Sequence, residues 1–300
     1  MNVIVTGALQ ASAEEIAALE KLGLTVTVHA DERTAVSCPE QYEAAVCNNL
    51  FGFQDLDAFS NLKYIQLTAA GLDRVPLDRV RERGIELHNA AGVYSVPMAE
   101  FALWGVLELY KQGRFFAENQ HQRRWEKHRS LRELSGKTVL IVGCGSVGSE
   151  CARRFAAFGC KVLGVARAGR QQADFEAVFP MTELPRLLPE ADILVLALAL
   201  NEDTRHLFDE DKLARMKAGS ILVNLSRGAI LVEKALLKAL AGPLSGAVLD
   251  VFETEPLPET SPLWEKENLI ITPHNSFVGE HNHGRMMELV LRNLRQWRNP

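Results

Sequence analysis

The stretch TVLIVGCGSVG, residues 138–148, decides the fold of this chain. Its first five residues predict an apolar β-strand, and residues 147–158 predict a helix. Between them lies G-x-G-x-x-G, whose glycines permit a tight turn, close approach of a pyrophosphate, and close packing of helix on strand. A glycine-rich turn without a ligand is the alternative, but the strand–turn–helix context favours a dinucleotide. The predicted contacts to its pyrophosphate are Gly143, Gly145, Ser146, Val147 and Gly148.

Apolar strands alternate with helices on both sides of this stretch. Strands are predicted at residues 2–6, 24–29, 44–47, 64–67 and 85–88, and again at residues 161–166, 193–198, 220–224, 247–249 and 269–271. Such alternation predicts an α/β fold of two Rossmann-like domains with parallel sheets. Pro97 opens a long apolar helix at residues 98–112, and the second series starts at Lys137. We therefore predict one domain of residues 1–93 and 276–300, and another of residues 94–275.

Length and composition narrow the class of protein. Three hundred residues allow about two domains, and 47% hydrophobic with 24% charged residues excludes a disordered chain. The net charge of −5 argues against a nucleic-acid binder. The longest apolar run, residues 191–200, is about half of a bilayer span, so we expect no membrane segment. The five cysteines form no C-x-x-C pair, which argues against a metal site and favours reduced thiols in a cytoplasmic protein.

The end of the strand at residues 161–166 bears on the choice of cofactor. NAD sites usually place an acid there to bind the ribose 2′-hydroxyl, but this chain has Ala166 followed by Arg167 and Arg170. Two arginines could clamp a 2′-phosphate, although they could also be solvated surface residues. The sequence therefore favours NADP and leaves NAD open.

Three later strands are each followed by a polar residue suited to catalysis. Arg227 follows the strand at residues 220–224, Glu255 follows the next, and His274 follows the last. Ligands of open α/β sheets bind at the carboxyl ends of the strands, so we expect these side chains at one sheet edge with the glycine loop. A histidine suits proton transfer near neutral pH, and an arginine pairs a substrate carboxylate. Taken singly, each could be an ordinary loop residue.

These motifs, with DTRHL at residues 203–207, DVFETEPLP at 250–258 and SPLW at 261–264, form a specific set. Over residues 60–290 the chain resembles the D-isomer-specific 2-hydroxyacid dehydrogenases. The resemblance implies that Arg227 binds the substrate carboxylate and that His274 is the acid/base with Glu255 as its partner. It also implies cofactor contacts from Leu198, Thr204 and Asp250, and a loop at residues 69–73 whose Ala70 and Gly71 amides hold the substrate carboxylate.

The resemblance implies an architecture and an activity. The domain of residues 1–93 and 276–300 would be a flavodoxin-like substrate domain, with the cofactor domain inserted into it. We expect NAD(P)-dependent reduction of a small 2-keto acid, similar to glyoxylate or hydroxypyruvate, or the reverse oxidation. The alternative is a dinucleotide-sensing binding module with a dehydrogenase fold. Residues 98–132 are the predicted surface of a homodimer, because the helix there is apolar on several faces.

Overall fold

The computed structural model describes residues 1–72 and 74–298. Asp73, part of the predicted substrate loop, and residues 299 and 300 lie outside this description. The chain divides into two compact units, Met1–Tyr94 with Gly279–Pro300, and Ser95–Val278. The sequence placed the second boundary at residues 275/276. Ser276 belongs with the second unit because its backbone N–H donates to the Asp250 carboxylate at 2.9 Å.

Short parallel strands form two separate sheets. In the described residues the strands are β1 Asn2–Thr6, β2 Thr25–His29, β3 Ala44–Cys47, β4 Tyr64–Leu67, β5 Glu86–His88, β6 Thr138–Val142, β7 Lys161–Ala166, β8 Ala177–Pro180, β9 Ile193–Leu196, β10 Ser220–Asn224, β11 Leu244–Leu249 and β12 Leu269–Ile271.

Helices connect and cover these strands. They are α1 Ala13–Glu20, α2 Leu50–Phe53, α3 Leu77–Glu82, α4 Ser95–Lys111, α5 Gly113–His121, α6 Ser146–Ala157, α7 Leu184–Leu187, α8 Glu210–Ala214, α9 Glu233–Leu240 and α10 Asn282–Arg298. Within the described residues, every helix is too short or too polar to span a membrane. The same residues contain no group of three or more His, Cys, Asp or Glu side chains placed to hold a metal ion.

The first unit is a five-stranded parallel sheet in the order β2-β1-β3-β4-β5. On one face, Val3 and Val5 share a hydrophobic cluster with Met287 and Val290 of α10. The helix α10 returns from the far end of the chain and is buried because it is amphipathic. The first unit is thus built from both ends of the sequence.

The second unit is a seven-stranded parallel sheet in the order β12-β11-β10-β9-β6-β7-β8. Strand order reverses beside β6, which makes the end of β6 a topological switch point, the usual place for a ligand in such sheets. The glycine loop follows β6 directly. Apolar residues are buried on both faces of β6, as expected for a central parallel strand. The predicted fold class is confirmed.

Candidate active site

The three glycines of the loop after β6 have distinct roles. Gly143 has a φ of +106°, and a Cβ on it would lie 2.3 Å from the carbonyl oxygen of Ala197. A Cβ on Gly148 would lie 2.0 Å from the carbonyl oxygen of Gly143, so only glycine lets the helix approach the strand this closely. A Cβ on Gly145 would meet open space. The loop is therefore compact on its protein side and open beside Gly145.

The helix α6 begins at the open side of this loop. It starts at Ser146 with Gly145 as the N-cap, which contributes no side-chain hydrogen bond to the first turn. The twelve-residue helix directs uncapped N–H groups and the positive end of its dipole toward the open space. Ser146 and Val147 occupy that first turn. A pyrophosphate fits these features, since the space beside Gly145 and the helix N-terminus both suit an anion.

Arg167 and Arg170 lie beyond the carboxyl end of β7, and both are exposed. Strand β7 is the neighbour of β6, and the Gly143 N–H donates to the Val165 carbonyl at 2.8 Å. The two arginines therefore follow the strand beside the glycine loop. A dinucleotide seated on that loop has its adenosine end on this side in sheets of this topology.

The loop after β9 contains Leu198 and Thr204. Leu198 is half-buried and Thr204 is buried. The Thr204 hydroxyl donates to the Ala199 carbonyl and accepts from the Asn201 N–H, each at 2.8 Å. Its hydroxyl therefore closes the loop, and the cofactor contact that the resemblance implied stays a prediction.

His274 and Glu255 form the centre of the site. His274 Nδ1 and Glu255 Oε2 lie 2.8 Å apart, and the other oxygen of Glu255 accepts the backbone N–H of Phe252 at 3.0 Å. The glutamate is thus fixed at both oxygens, and it fixes the orientation of the imidazole. His274 has a left-handed φ of +51°, a conformation that is uncommon for a non-glycine residue. Such backbones are held by their surroundings and cluster at functional sites.

Asp250 holds the loop on which His274 lies. The Asp250 side chain is fully buried, and one oxygen accepts the Thr272 hydroxyl and the Asn275 N–H, each at 2.7 Å. The other oxygen accepts the Ser276 N–H, and the Asp250 carbonyl accepts the His274 N–H at 2.8 Å. Asp250 therefore positions His274. Sequence reasoning missed this role, because the partners of Asp250 are mostly backbone groups. The contact of Asp250 with the nicotinamide, which the resemblance implied, stays a prediction.

Arg227 lies at the same sheet edge. The last residues of β10, β11 and β12 are register neighbours, Asn224 with Leu249 and Leu249 with Ile271, so the segments that follow them start side by side. A Cβ on Gly228 would lie 1.9 Å from the carbonyl carbon of Phe252, so the residue after Arg227 packs against the segment leading to Glu255. The three strands thus end side by side, and the convergence of the three side chains on one substrate stays a prediction.

A reciprocal pair braces that segment against α9. The Glu253 N–H donates to the Glu233 carboxylate at 2.7 Å, and the Glu233 N–H donates to the Glu253 carboxylate at 2.9 Å. Burial, with the nearby Glu253 charge, raises the pKa of Glu233. This reciprocal pair resembles a capping box, but it joins residues that are distant in sequence. No short-range sequence signal could therefore have predicted it.

A family model described as D-isomer specific 2-hydroxyacid dehydrogenase, NAD binding domain, matches residues 103–276, more than half of the chain. The chain belongs to the D-isomer-specific 2-hydroxyacid dehydrogenases. It is an oxidoreductase with a domain that binds a nicotinamide dinucleotide, as the sequence predicted.

Relatives of this dehydrogenase agree with the assignment. A glyoxylate reductase from Korarchaeum cryptofilum is 34% identical over 244 residues, which cover 79% of this chain and 74% of that protein. A solved family member from Aeromonas salmonicida is 33% identical with a TM-score of 0.84, over 99% of this chain and 95% of that one. A family member from Xanthobacter autotrophicus, solved in complex with NADPH and MES, is 27% identical with a TM-score of 0.78, over 98% and 94%.

The predicted substrate loop of the dehydrogenase lies in the first unit. Ala70 is exposed and Gly71 half-buried, and both follow the carboxyl end of β4. The Asn89 side chain donates to the Ala70 carbonyl at 2.6 Å and fixes the loop. In the described part of the chain, neither the Ala70 nor the Gly71 N–H donates to a protein acceptor. These groups are available to an anion, and their role with substrate stays a prediction.

Proposed function

We propose that this dehydrogenase reduces a small 2-keto acid to the D-2-hydroxy acid and catalyses the reverse oxidation, with His274 as the proton donor and acceptor. The observation that carries the proposal is the 2.8 Å pair of His274 Nδ1 and Glu255. It lies at the carboxyl edge of the sheet that also carries the glycine loop. A protein that only sensed a dinucleotide would have no use for an oriented proton donor at this edge.

Reduction of a keto group requires a hydride at carbon and a proton at oxygen. Glu255 engages Nδ1, so Nε2 is the atom of His274 that holds the transferable proton. Arg227 pairs the substrate carboxylate through its planar fork and stabilises negative charge that grows on the carbonyl oxygen. Asp250 keeps the histidine loop in place while the proton moves. The nicotinamide, when bound, supplies or accepts the hydride.

We infer that NADPH is preferred to NADH. The end of β7 carries Ala166 instead of an acid, and exposed Arg167 and Arg170 follow it. Guanidinium groups pair phosphate oxygens bidentately, which suits a 2′-phosphate. The relative from Xanthobacter autotrophicus was solved with NADPH.

We further infer that the first unit is the substrate domain and the second the cofactor domain. The open N–H groups of Ala70 and Gly71 in the first unit suit a carboxylate. The glycine loop, Arg227 and His274 all lie in the second unit. A small substrate such as glyoxylate or hydroxypyruvate is the expectation, and several of the similar proteins are glyoxylate reductases.

We infer a homodimer through residues 98–132. Within that stretch the exposed aromatic side chains are Trp104, Phe116 and Trp125, the last 97% exposed. Trp125 lies in a segment without helix or strand and lines the same surface groove as Phe116, and exposed apolar patches are typical of association surfaces. Light scattering at micromolar concentration should give twice the chain mass, and Trp125→Ser should lower it. A wild-type monomer would refute the dimer.

A cytoplasmic location is the expectation that fits the cysteines. All five are free thiols, and three of them are buried in the two units. Free buried thiols persist in reducing compartments, whereas oxidising compartments favour disulfides. Fractionation of the native organism, with immunodetection of the protein, would test this.

The experiment that tests the activity is NADPH oxidation at 340 nm with a panel of 2-keto acids, for the wild type and His274→Ala. We expect His274→Ala to lower kcat by about 10²–10⁴, the usual contribution of a positioned acid/base. Binding of NADPH, followed by its fluorescence, should change little, because the glycine loop is untouched. Wild-type turnover by His274→Ala would end this mechanism.

His281 provides the matched control. Its side chain is 77% exposed and lies outside the second unit. His281→Ala should leave kcat and melting temperature unchanged. If His274→Ala lowered only the melting temperature, with normal kcat in the folded fraction, the histidine would be structural and the proposal would fail.

A further inference from the structure

The segment between β11 and Glu255 places a carboxylate against His274 although it forms neither helix nor strand. It comprises residues 250–255, which we call the Glu255 segment. Val251 and Phe252 are buried, whereas the three residues that follow them are exposed. Burial therefore fixes only the first half of the segment, and the half that carries Glu255 needs another anchor.

The hydrogen bond inside the segment cannot serve as that anchor. Glu255 Oε1 accepts the N–H of Phe252 only three residues back, so this bond moves with the segment. The bond between Glu255 and His274 is the contact whose geometry has to be maintained. The anchor must therefore come from a separate element of the second unit.

The N-terminus of α9 provides such an anchor. The Glu253 N–H donates to Glu233 Oε1 at 2.7 Å, and the Glu233 N–H donates to Glu253 Oε1 at 2.9 Å. Because the two bonds run in opposite directions between the same two residues, they fix both the distance and the direction of the Glu253 backbone. Glu253 lies only two residues before Glu255, in the exposed half of the segment.

The start of α9 is itself firmly held. Ala235 and Leu236 of this helix are buried in the same hydrophobic cluster as Phe252. Just before the helix, the Val232 N–H donates to the Phe208 carbonyl at 3.1 Å. The helix is therefore a fixed base against which an exposed segment can be held.

The two bonds of the brace act on different parts of the protein. The N-cap residue of α9 is Val232, which has no polar side-chain atom, so the Glu253 carboxylate supplies the acceptor that the helix lacks. The second bond, from the Glu253 N–H to Glu233, satisfies no backbone group of α9. It also places one carboxylate beside another, which costs electrostatic free energy because like charges repel. The Glu233 carboxylate therefore acts on the Glu255 segment and not on the helix.

The same contact reaches the residue after Arg227. A Cβ on Gly228 would lie 1.9 Å from the carbonyl carbon of Phe252 and 2.5 Å from the Glu253 nitrogen. The chain that follows Arg227 thus packs against the backbone that Glu233 holds. The connections that follow β10 and β11 meet at Glu253.

We propose that Glu233 is a positioning residue: through the Glu253 backbone it holds the Glu255 segment, and with it the contact between Glu255 and His274. In this role it need not touch the substrate or the cofactor. Its effect on turnover rests on the proposed function, whereas its hold on the segment does not.

Turnover tests the role of Glu233 in the reaction. Glu233→Ala removes the acceptor of the Glu253 N–H, while Glu233→Gln keeps an oxygen there. With NADPH and a 2-keto acid, we expect Glu233→Ala to lower kcat about 3- to 10-fold, the usual contribution of one hydrogen bond, and Glu233→Gln to retain most of the wild-type kcat. The Kd of NADPH should not change, because β10 and β9 separate β11 from β6 and its glycine loop.

The solvent deuterium isotope effect on kcat distinguishes positioning from loss of stability. A displaced imidazole slows proton transfer, so this step should limit turnover more strongly in Glu233→Ala and the isotope effect should rise. Lys238→Gly is the matched control, since Lys238 is an exposed residue near the other end of α9 and glycine weakens a helix. It should lower the melting temperature and leave kcat and the isotope effect unchanged. An unchanged isotope effect in Glu233→Ala, or an equal loss of kcat in Lys238→Gly, would overturn the proposal.

Amide hydrogen exchange tests the hold on the segment without any activity. Mass spectrometry would follow a peptide that contains residues 250–255 in the wild type and in the three variants. We expect exchange about 3- to 10-fold faster in Glu233→Ala, and close to wild type in Glu233→Gln and Lys238→Gly. Equal exchange in the wild type and Glu233→Ala would refute the hold of Glu233 on the segment.

The failure of this proposal and the failure of the proposed function give different results. Faster exchange in Glu233→Ala, with no 2-keto acid reduced by the wild type, would refute the function and retain the hold of Glu233 on the segment. Faster exchange with an unaltered kcat for a 2-keto acid would refute the positioning role and retain the function.

Discussion

The buried carboxylate of Asp250 accepts the backbone N–H of Ser276 at 2.9 Å, two residues beyond His274, the proposed proton donor. The second carboxylate oxygen is already shared between Thr272 and Asn275. Both oxygens of this carboxylate are therefore used by donors of the loop that carries His274. The position of the histidine thus depends on a residue that need not touch the substrate.

Asp250→Asn tests this dependence. The side-chain NH2 of the new asparagine would face a donor of the histidine loop, so a buried donor would be left without an acceptor. Such a loss costs about 1–3 kcal/mol of folding free energy. We expect a lower melting temperature and a lower kcat, with NADPH binding less affected. Asp211→Asn, at a side chain that is 71% exposed, is the control. An unchanged melting temperature in Asp250→Asn would contradict the role assigned to this carboxylate.

Glu255→Gln separates orientation from charge. The amide oxygen can still accept the Phe252 N–H, so the segment should stay folded, but the amide nitrogen would face His274 Nδ1. We expect kcat to fall about 10- to 100-fold, a part of what the acid/base itself contributes. Steady-state kinetics beside calorimetric melting would measure both quantities. Glu259→Gln, an exposed neighbour, should behave as wild type, and equal kcat for both variants would count against the pair.

Arg167→Ala tests the choice of cofactor. Charged hydrogen bonds contribute about 1.5–3 kcal/mol, so the preference for NADPH over NADH should shrink by roughly 10- to 100-fold. Dissociation constants of NADPH and NADH would be measured for Arg167→Ala, Arg170→Ala and the double variant. They would show how much of the preference for NADPH each arginine contributes. Arg186→Ala serves as control because Arg186 is paired with Glu183 away from the glycine loop. A wild type that binds NADH more tightly would contradict the assignment.

Thiol reactivity should depend steeply on pH. Burial raises the pKa of the Cys144 thiol in the glycine loop to about 11, and that of Cys151 to about 12. At pH 8 only about one Cys144 in a thousand is the reactive thiolate, whereas Cys38 is exposed. Ellman's reagent at pH 8 should therefore label one thiol rapidly without loss of activity, and labelling at Cys144 should rise as pH approaches 11.

Cys38→Ser provides the check on this assignment. It should remove the rapid phase of labelling and leave NADPH oxidation intact. Rapid inactivation that persists in Cys38→Ser would mean that a buried thiol reacts from an open state, which would contradict the burial of Cys144 in the compact glycine loop.

Much of the fold could be predicted because the strands are buried and apolar. The prediction of residues 64–67 as a strand matches β4, and residues 138–142 match β6. Strand β8, Ala177–Pro180, was missed because it is short, lies at the sheet edge and ends in proline. The helix α5, Gly113–His121, was missed because its sequence is mostly polar and its only fully buried residue is Asn119.

The candidate site was predictable in part for a different reason. Arg227, Glu255 and His274 could be placed at one edge because parallel strands share a direction, which sequence alone implies. The contacts of Asp250 and the Glu233–Glu253 brace could not be predicted, since they join side chains to backbone groups distant in sequence. Hydrogen bonds of that kind depend on loop geometry, for which the sequence offers no periodic signal.

The return of α10 to the first unit also sets the order in which the protein can fold during translation. The second unit is one continuous segment, Ser95–Val278, and can close as soon as that segment has left the ribosome. The five strands of the first unit emerge earlier, yet Met287, Val290 and Leu294, which cover one face of their sheet, are made only after the second unit. That apolar face therefore stays open while the whole second unit is synthesised, and it is the surface of the nascent chain that a chaperone would protect.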